Sequence, residues 1–232
     1  MGRHDWYRSE SWSAQEQELF ETKLARSRTP FNRAQYRRIQ GLTLVETRDR
    51  RRVDVGRELL RRVIAEYPDE VIEVAGAHYK LGDSFAEDGD YDEAIAHLRN
   101  CLELESGRSF SHNTELRLAE TLVGPREISS FDEAWQLLDA AEREALFGSQ
   151  FWRIEVARAR VLELSADPTR AAEHARTALE LLDDDAPAFP RHPTVGLIEA
   201  DEATVREMRR MATPRSGHRA FIAKRIRRLG QP

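Results

Sequence analysis

Seven histidines, one cysteine and an acidic triplet are the groups in this 232-residue chain whose types invite chemistry. The histidines are His4, His78, His97, His112, His174, His192 and His218. A zinc hydrolase of the H-E-x-x-H kind sets two histidines on one helical face with a carboxylate base between them, and no such spacing occurs. His112 and Glu115 share a face, which is only half of that set. Cys101 stands alone, which excludes an internal disulfide framework and a cysteine-based zinc site. With no basic activator near it in sequence, Cys101 is read as an inert packing residue rather than a nucleophile. Asp183, Asp184 and Asp185 form a solvated charge run, since no glycine-containing calcium-loop spacing follows them. Phosphate-binding loops, G-x-G-x-x-G and G-x-S-x-G are missing. The expectation is a protein that is not an enzyme and that uses no metal or cofactor.

The elements that would position any site are helices. Hydrophobic residues make up 40% of the chain and charged residues 33%. That balance suits a thin, extended helical stack with much surface for its core volume. No long Val/Ile/Thr run suggests a central strand. Self-similarity is clearest over residues 75 to 106, AGAHYKLGDSFAEDGDYDEAIAHLRNCLELES. There Leu81-Gly82 is followed by Phe85, then Gly89-Asp90-Tyr91, then Ala94, Leu98 and Cys101. Gly82 and Ala94 are small where two antiparallel helices must touch, and Gly89-Asp90 supplies the tight turn between them.

Weaker copies flank this one. Phe131-Asp132-Glu133-Ala134 repeats Tyr91-Asp92-Glu93-Ala94, with Leu138 and Ala141 after it and Leu116, Ala119 and Leu122 before it. A further copy runs from Phe151 to Leu182 through Ala159, Leu162, Ala171, Ala175 and Ala178. An earlier one holds Tyr36, Ile39 and Leu42, then Gly56, Leu60, Val63 and Pro68. The equivalent small residues Gly56, Ala94, Ala134 and Ala171 are 38, 40 and 37 residues apart.

The pattern over 75 to 106 resembles the tetratricopeptide repeat, W-x2-L-G-x2-Y followed by A-x3-F-x2-A and proline. His78 stands for the first aromatic, Phe85 for the tyrosine, Leu98 for the phenylalanine, Cys101 for the last alanine and Ser106 for the proline. The resemblance extends in degenerate form from about residue 33 to 182. It implies an all-α, right-handed superhelical solenoid of antiparallel helix pairs, with a concave groove lined by the first helix of each pair. It also implies a binding protein. Projecting the strong repeat's register puts Tyr79, Lys80, Asp83 and Glu87 on that groove. Its neighbours would add Arg37 and Arg38, then Asn113, Arg117 and Glu120, then Arg153 and Arg160. Some family members clamp a peptide carboxylate with lysine and asparagine at fixed groove positions. Tyr79 and Asp83 occupy the matching places here, so a mixed-sign peptide or domain is the expected ligand instead.

The ends differ from the middle. Ser13 with Glu16 reads as a capping box for an N-terminal helix over 13 to 27, with Leu19, Phe20 and Leu24 as its apolar stripe. Trp6, Tyr7 and Trp12 precede it as packed aromatics. The expected organisation is an N-terminal capping segment (1–31), helical repeats (32–182), and a linker, short helix and basic tail (183–232). Net charge is +6 over residues 1–62, −19 over 63–202 and +8 over 203–232. Phe221, Lys224, Arg225, Arg227 and Arg228 make the tail a second candidate contact, either with the acidic repeats or with a partner. Arginine far outnumbers lysine, which fits a GC-rich, bacterial genome. No signal or membrane-span pattern is present, and with one cysteine the cytoplasm is the expected compartment. The leading expectation is an adaptor for a protein or peptide partner. An immunity or accessory factor neutralising a toxin or enzyme, and a nucleic-acid-associated regulator using the basic ends, are the alternatives. No recognition motif supports the last of these.

Overall fold

The computed structural model describes residues 5–124, 130–183 and 194–213. Among them are ten α-helices, a short 3-10 turn (Asp5–Tyr7), and no strand. The helices are α1 (Ala14–Ala25), α2 (Pro30–Val45), α3 (Arg50–Glu66), α4 (Val71–Glu87), α5 (Tyr91–Glu105), α6 (Thr114–Val123), α7 (Phe131–Glu144), α8 (Gly148–Leu164), α9 (Pro168–Asp183) and α10 (Glu202–Ala212). The chain divides into two compact units, residues 1–125 and 126–232. That division falls inside the stretch whose sequence pattern runs from 32 to 182. No helix among the described residues is long and apolar enough to cross a membrane.

In unit 1, α2 pairs with α3 and α4 with α5, and the first helices also touch, α2 against α4 and α4 against α6. Gly82 shows why the repeat needs a small residue. A Cβ built there would lie 2.6 Å from Leu98 Cγ and 3.1 Å from the Ala94 carbonyl oxygen, so any side chain pushes α4 and α5 apart. The turn between them ends α4 in a left-handed Gly89 (φ 78°), and Asp90 N–H donates to the Phe85 carbonyl at 2.9 Å. That bond satisfies an orphan carbonyl at the helix end. The core of these pairs is Ala34, Val45, Leu60, Val63, Ala77, Leu81, Phe85 and Ala94.

The N-terminal segment caps this stack. The Ser13–Glu16 capping box is present, with both reciprocal bonds made. Phe20 and Leu24 are buried, but Leu19 is exposed and does not join the apolar stripe expected of it. Tyr7 stacks on Tyr36 at 4.6 Å, and Trp6 and Trp12 pack at 5.6 and 5.4 Å from Phe20. Buried Gln40 fastens the segment by accepting from Ser9 N–H (3.0 Å) and donating to the Ser9 carbonyl (2.6 Å).

In unit 2, α8 pairs with α9, α7 packs on α8, and α10 lies mainly on α9. Met208 and Met211 of α10 join Trp152, Val156, Ala159, Ala175 and Ala178 in one core. Asp201 caps α10 by accepting from Thr204 N–H at 2.9 Å. Both units are therefore all-α stacks of antiparallel helix pairs, a helical-repeat fold.

Candidate partner-binding groove

The first helices of unit 1 present a row of side chains that reach across to one another. Half-buried Tyr79 of α4 stacks on His112 at 5.7 Å, and Lys80 sits 5.6 Å from the Tyr79 ring and 4.0 Å from Glu46 of the α2–α3 turn. Asp83 accepts an ion pair from Arg117 of α6 at 2.6 Å, and Arg117 also lies 3.6 Å from Glu120. Arg38 of α2 pairs with Glu73 of α4 at 2.5 Å; Glu73 is 2% exposed. A Cβ on Gly76 would lie 3.0 Å from Arg38 Cδ and 3.3 Å from His112 Nε2, so Gly76 lets these side chains pass close to α4. Tyr79, Lys80, Asp83, Arg38, Arg117 and Glu120 are thus brought together on the α2–α4–α6 side. Asn113 stands exposed in a left-handed conformation (φ 59°) just before α6. Glu87 is exposed and lines a cavity of about 740 Å³ with Arg48, Arg50, Asp54, Arg57 and Asp88.

Arg37 does not line the surface expected of it. It is 3% exposed, pairs with Glu66 of α3 and with Glu21 of α1 (3.3 Å), and lies over the Tyr67 ring at 5.6 Å. A guanidinium enters the core there because two carboxylates and an aromatic face replace its water. In unit 2, Arg160 pairs with Glu207 of α10 at 2.7 Å, and Arg153 is half-buried. The tail residues Phe221, Lys224, Arg225, Arg227 and Arg228 lie outside the described residues.

Three features escaped the sequence reading. Arg57 is buried across Phe85 at 4.2 Å and donates to Ser84 Oγ (2.9 Å), the Ser84 carbonyl (2.8 Å) and Asp88 (2.7 Å). Arg158 repeats the device in unit 2, 5.5 Å from the Trp135 ring and 2.7 Å from both Asp139 and Glu142. Each is an arginine on an apolar helix face, which is the signal that marks them. The third is Glu105, 6% exposed, whose Oε1 accepts from His112 N–H at 2.7 Å and pairs with His112 Nδ1 at 2.6 Å. Burial raises the Glu105 carboxyl, yet its bonds with His112 and Thr114 hold it below the usual range.

Burial also shifts one thiol and two imidazoles. Burial pushes the Cys101 thiol up to about 12, which favours its protonated form at neutral pH. His78 and His97 meet Nδ1 to Nδ1 at 2.9 Å. Burial, with the neighbouring His97, lowers His78 to about 4, and burial lowers His97 as well.

Stacked antiparallel helix pairs with paired charges across their first helices define a helical-repeat fold. Residues 75–107 match the family model of the tetratricopeptide repeat. The match covers that one repeat, and tetratricopeptide repeats are generally protein-interaction modules. Comparison with curated proteins and with solved structures returned no match.

Proposed function

We propose that the protein is a non-catalytic, cytoplasmic adaptor that captures a partner-protein segment on the α2–α4–α6 side of unit 1. The observation supporting this reading is the Tyr79–His112 stack flanked by the Arg38–Glu73 and Asp83–Arg117 pairs. An aromatic platform between pairs of opposite charge favours a peptide that carries an apolar side chain and charges of both signs. Tyrosine and arginine supply most of the binding energy in such patches. The inter-helix pairs hold the platform in place before binding, which lowers the ordering cost.

The test is affinity capture of the tagged full chain from its host, washed at low and high salt, with protein and nucleic acid both quantified. One stoichiometric protein that survives high salt is the expected result. Replacing Tyr79 and Lys80 with alanine should then weaken capture about 10-fold or more while helicity is unchanged. Capture that survives both substitutions moves the site elsewhere. Nucleic acid released steeply with salt, and no protein, removes the adaptor reading.

A further inference from the structure

We propose that Cys101, Glu105 and His112 form a binding site for a zinc-type divalent ion. Cys101 and Glu105 lie one turn apart on the same face of α5, and His112 returns to them from the segment leading into α6. The thiol sulfur, a carboxylate oxygen and an imidazole nitrogen all lie within 4.8 Å of one another. Tetrahedral ligands of one zinc ion lie about 3.5 Å apart, so closure on the order of 1 Å supplies three of the four positions and leaves the fourth to a water.

The strongest observation is an orphan. Glu105 is more than nine-tenths buried, and its Oε2 has no well-formed hydrogen bond. The clamp to His112 runs through Oε1 only; Oε2 and the neighbouring buried thiol are left with the Thr114 hydroxyl as their shared polar contact. A cation placed between the three groups uses both. A mixed sulfur, nitrogen and oxygen set selects zinc over magnesium or calcium, which take oxygen ligands. The thiol proton passes to solvent as the sulfur–metal bond forms.

The surroundings suit the role. Thr114 Oγ1, fully buried, lies 3.3 Å from Cys101 Sγ and can donate to a metal-bound thiolate. Tyr79 and Phe110 hold the His112 ring from its face and its edge. The nearby Arg38 guanidinium is already neutralised by Glu73. Gly107 in the intervening segment is left-handed (φ 71°), and a Cβ there would meet nothing within 4 Å. In α9 the same register carries Ala178 and Leu182, so the set belongs to α5. An ion here would fix the α5–α6 segment beside Tyr79.

A lone cysteine excludes zinc sites built from several cysteines, not one completed by other ligand types. The fold supplies a carboxylate and an imidazole that the sequence spaces apart.

Zinc and cobalt titrations of the chelator-treated full chain test the site, with stoichiometry read by calorimetry and sulfur–cobalt charge transfer by absorption. One ion per chain and a thiolate–cobalt band are expected. Cys101→Ala restores the small residue that α9 uses and should keep native helicity, yet weaken binding about 100-fold and erase the band. Glu105→Gln should weaken binding to a similar degree. No saturable binding by the wild type, no thiolate band, or unchanged affinity in a folded Cys101→Ala protein would each overturn the proposal.

Discussion

The α4–α5 and α8–α9 pairs solve one packing problem with opposite choices of size. In α4–α5, Gly82 faces Leu98; at the same register in α8–α9, Ala159 and Ala175 are both fully buried. A glycine beside a leucine and two facing alanines both allow close helix contact, because what matters is the summed volume at the contact. The polar neighbours are exchanged in the same manner. His78 and His97 meet at 2.9 Å in the first pair, whereas Glu155 and His174 meet at 2.7 Å in the second. Asp83 reaches forward to Arg117 of the next first helix, and Arg160, its counterpart, reaches forward to Glu207. Repeats that diverge in sequence therefore retain the contact and trade its members.

The largest expected effect comes from mixing the two solutions. Ala175→Leu places the α5 choice against Ala159 rather than against glycine. Overpacking should cost unit 2 about 3 kcal/mol, read from the chemical denaturation midpoint. The mirror change, Gly82→Ala, meets Leu98 and should cost about 1–2 kcal/mol, part of the clash being offset by better helix propensity. Adding Leu98→Ala to Gly82→Ala should show a favourable coupling of about 1 kcal/mol. Additive losses would mean that the paired sizes are unrelated.

Much of this was readable beforehand. Gly82, Ala94, Leu98 and Gly89 act through backbone proximity and a left-handed turn, both local and tied to a repeating register. The cap at Ser13 is likewise local. What escaped depends on which distant groups converge. Arg37 looks like a groove residue until Glu21 and Glu66 arrive from the helices on either side. Leu19 completes an apolar stripe in projection, yet the cap packs through Phe20, Leu24 and the three aromatics before α1. The same holds for the candidate site, where the side chains on α4 follow from the repeat register. Arg38 on α2 and Arg117 on α6 follow from the neighbouring copies, but which carboxylate each one meets follows only from the stacking.

A smaller effect separates the two histidine arrangements by pH. His78, about 4 in the fold, rests near 6.5 when exposed, and His97 is lowered too. The folded state therefore binds fewer protons than the unfolded state between these values, so stability is full above pH 6.5 and falls as pH drops toward 4. Glu93 on α5 opposes the shift at His97 and Arg61 on α3 reinforces it. His78→Glu copies the α8–α9 arrangement and should flatten the fall in denaturation midpoint between pH 6.5 and 5. An unchanged slope would show that the histidine pair does not govern acid sensitivity.

The smallest effect lies in the turns. Gly89 (φ 78°) and Ala166 (φ 61°) occupy the same left-handed position. Each is followed by an aspartate whose N–H donates back at 2.9 Å, to the Phe85 carbonyl in one turn and the Leu162 carbonyl in the other. Only glycine takes this conformation without steric cost, and for alanine the cost is about 1 kcal/mol. A Cβ on Gly89 would meet nothing within 4 Å, so Gly89→Ala should lose about that amount through the backbone alone. Ala166→Gly should gain somewhat less, about 0.5 kcal/mol, because glycine also loosens the unfolded chain. Opposite signs at the two turns, measured in the same denaturant series, would show that α8–α9 keeps the repeat's turn despite losing its glycine. A loss at both would mean that the Ala166 side chain contributes packing that compensates for its strained backbone, and the two turns would then be equivalent in shape but not in what holds them.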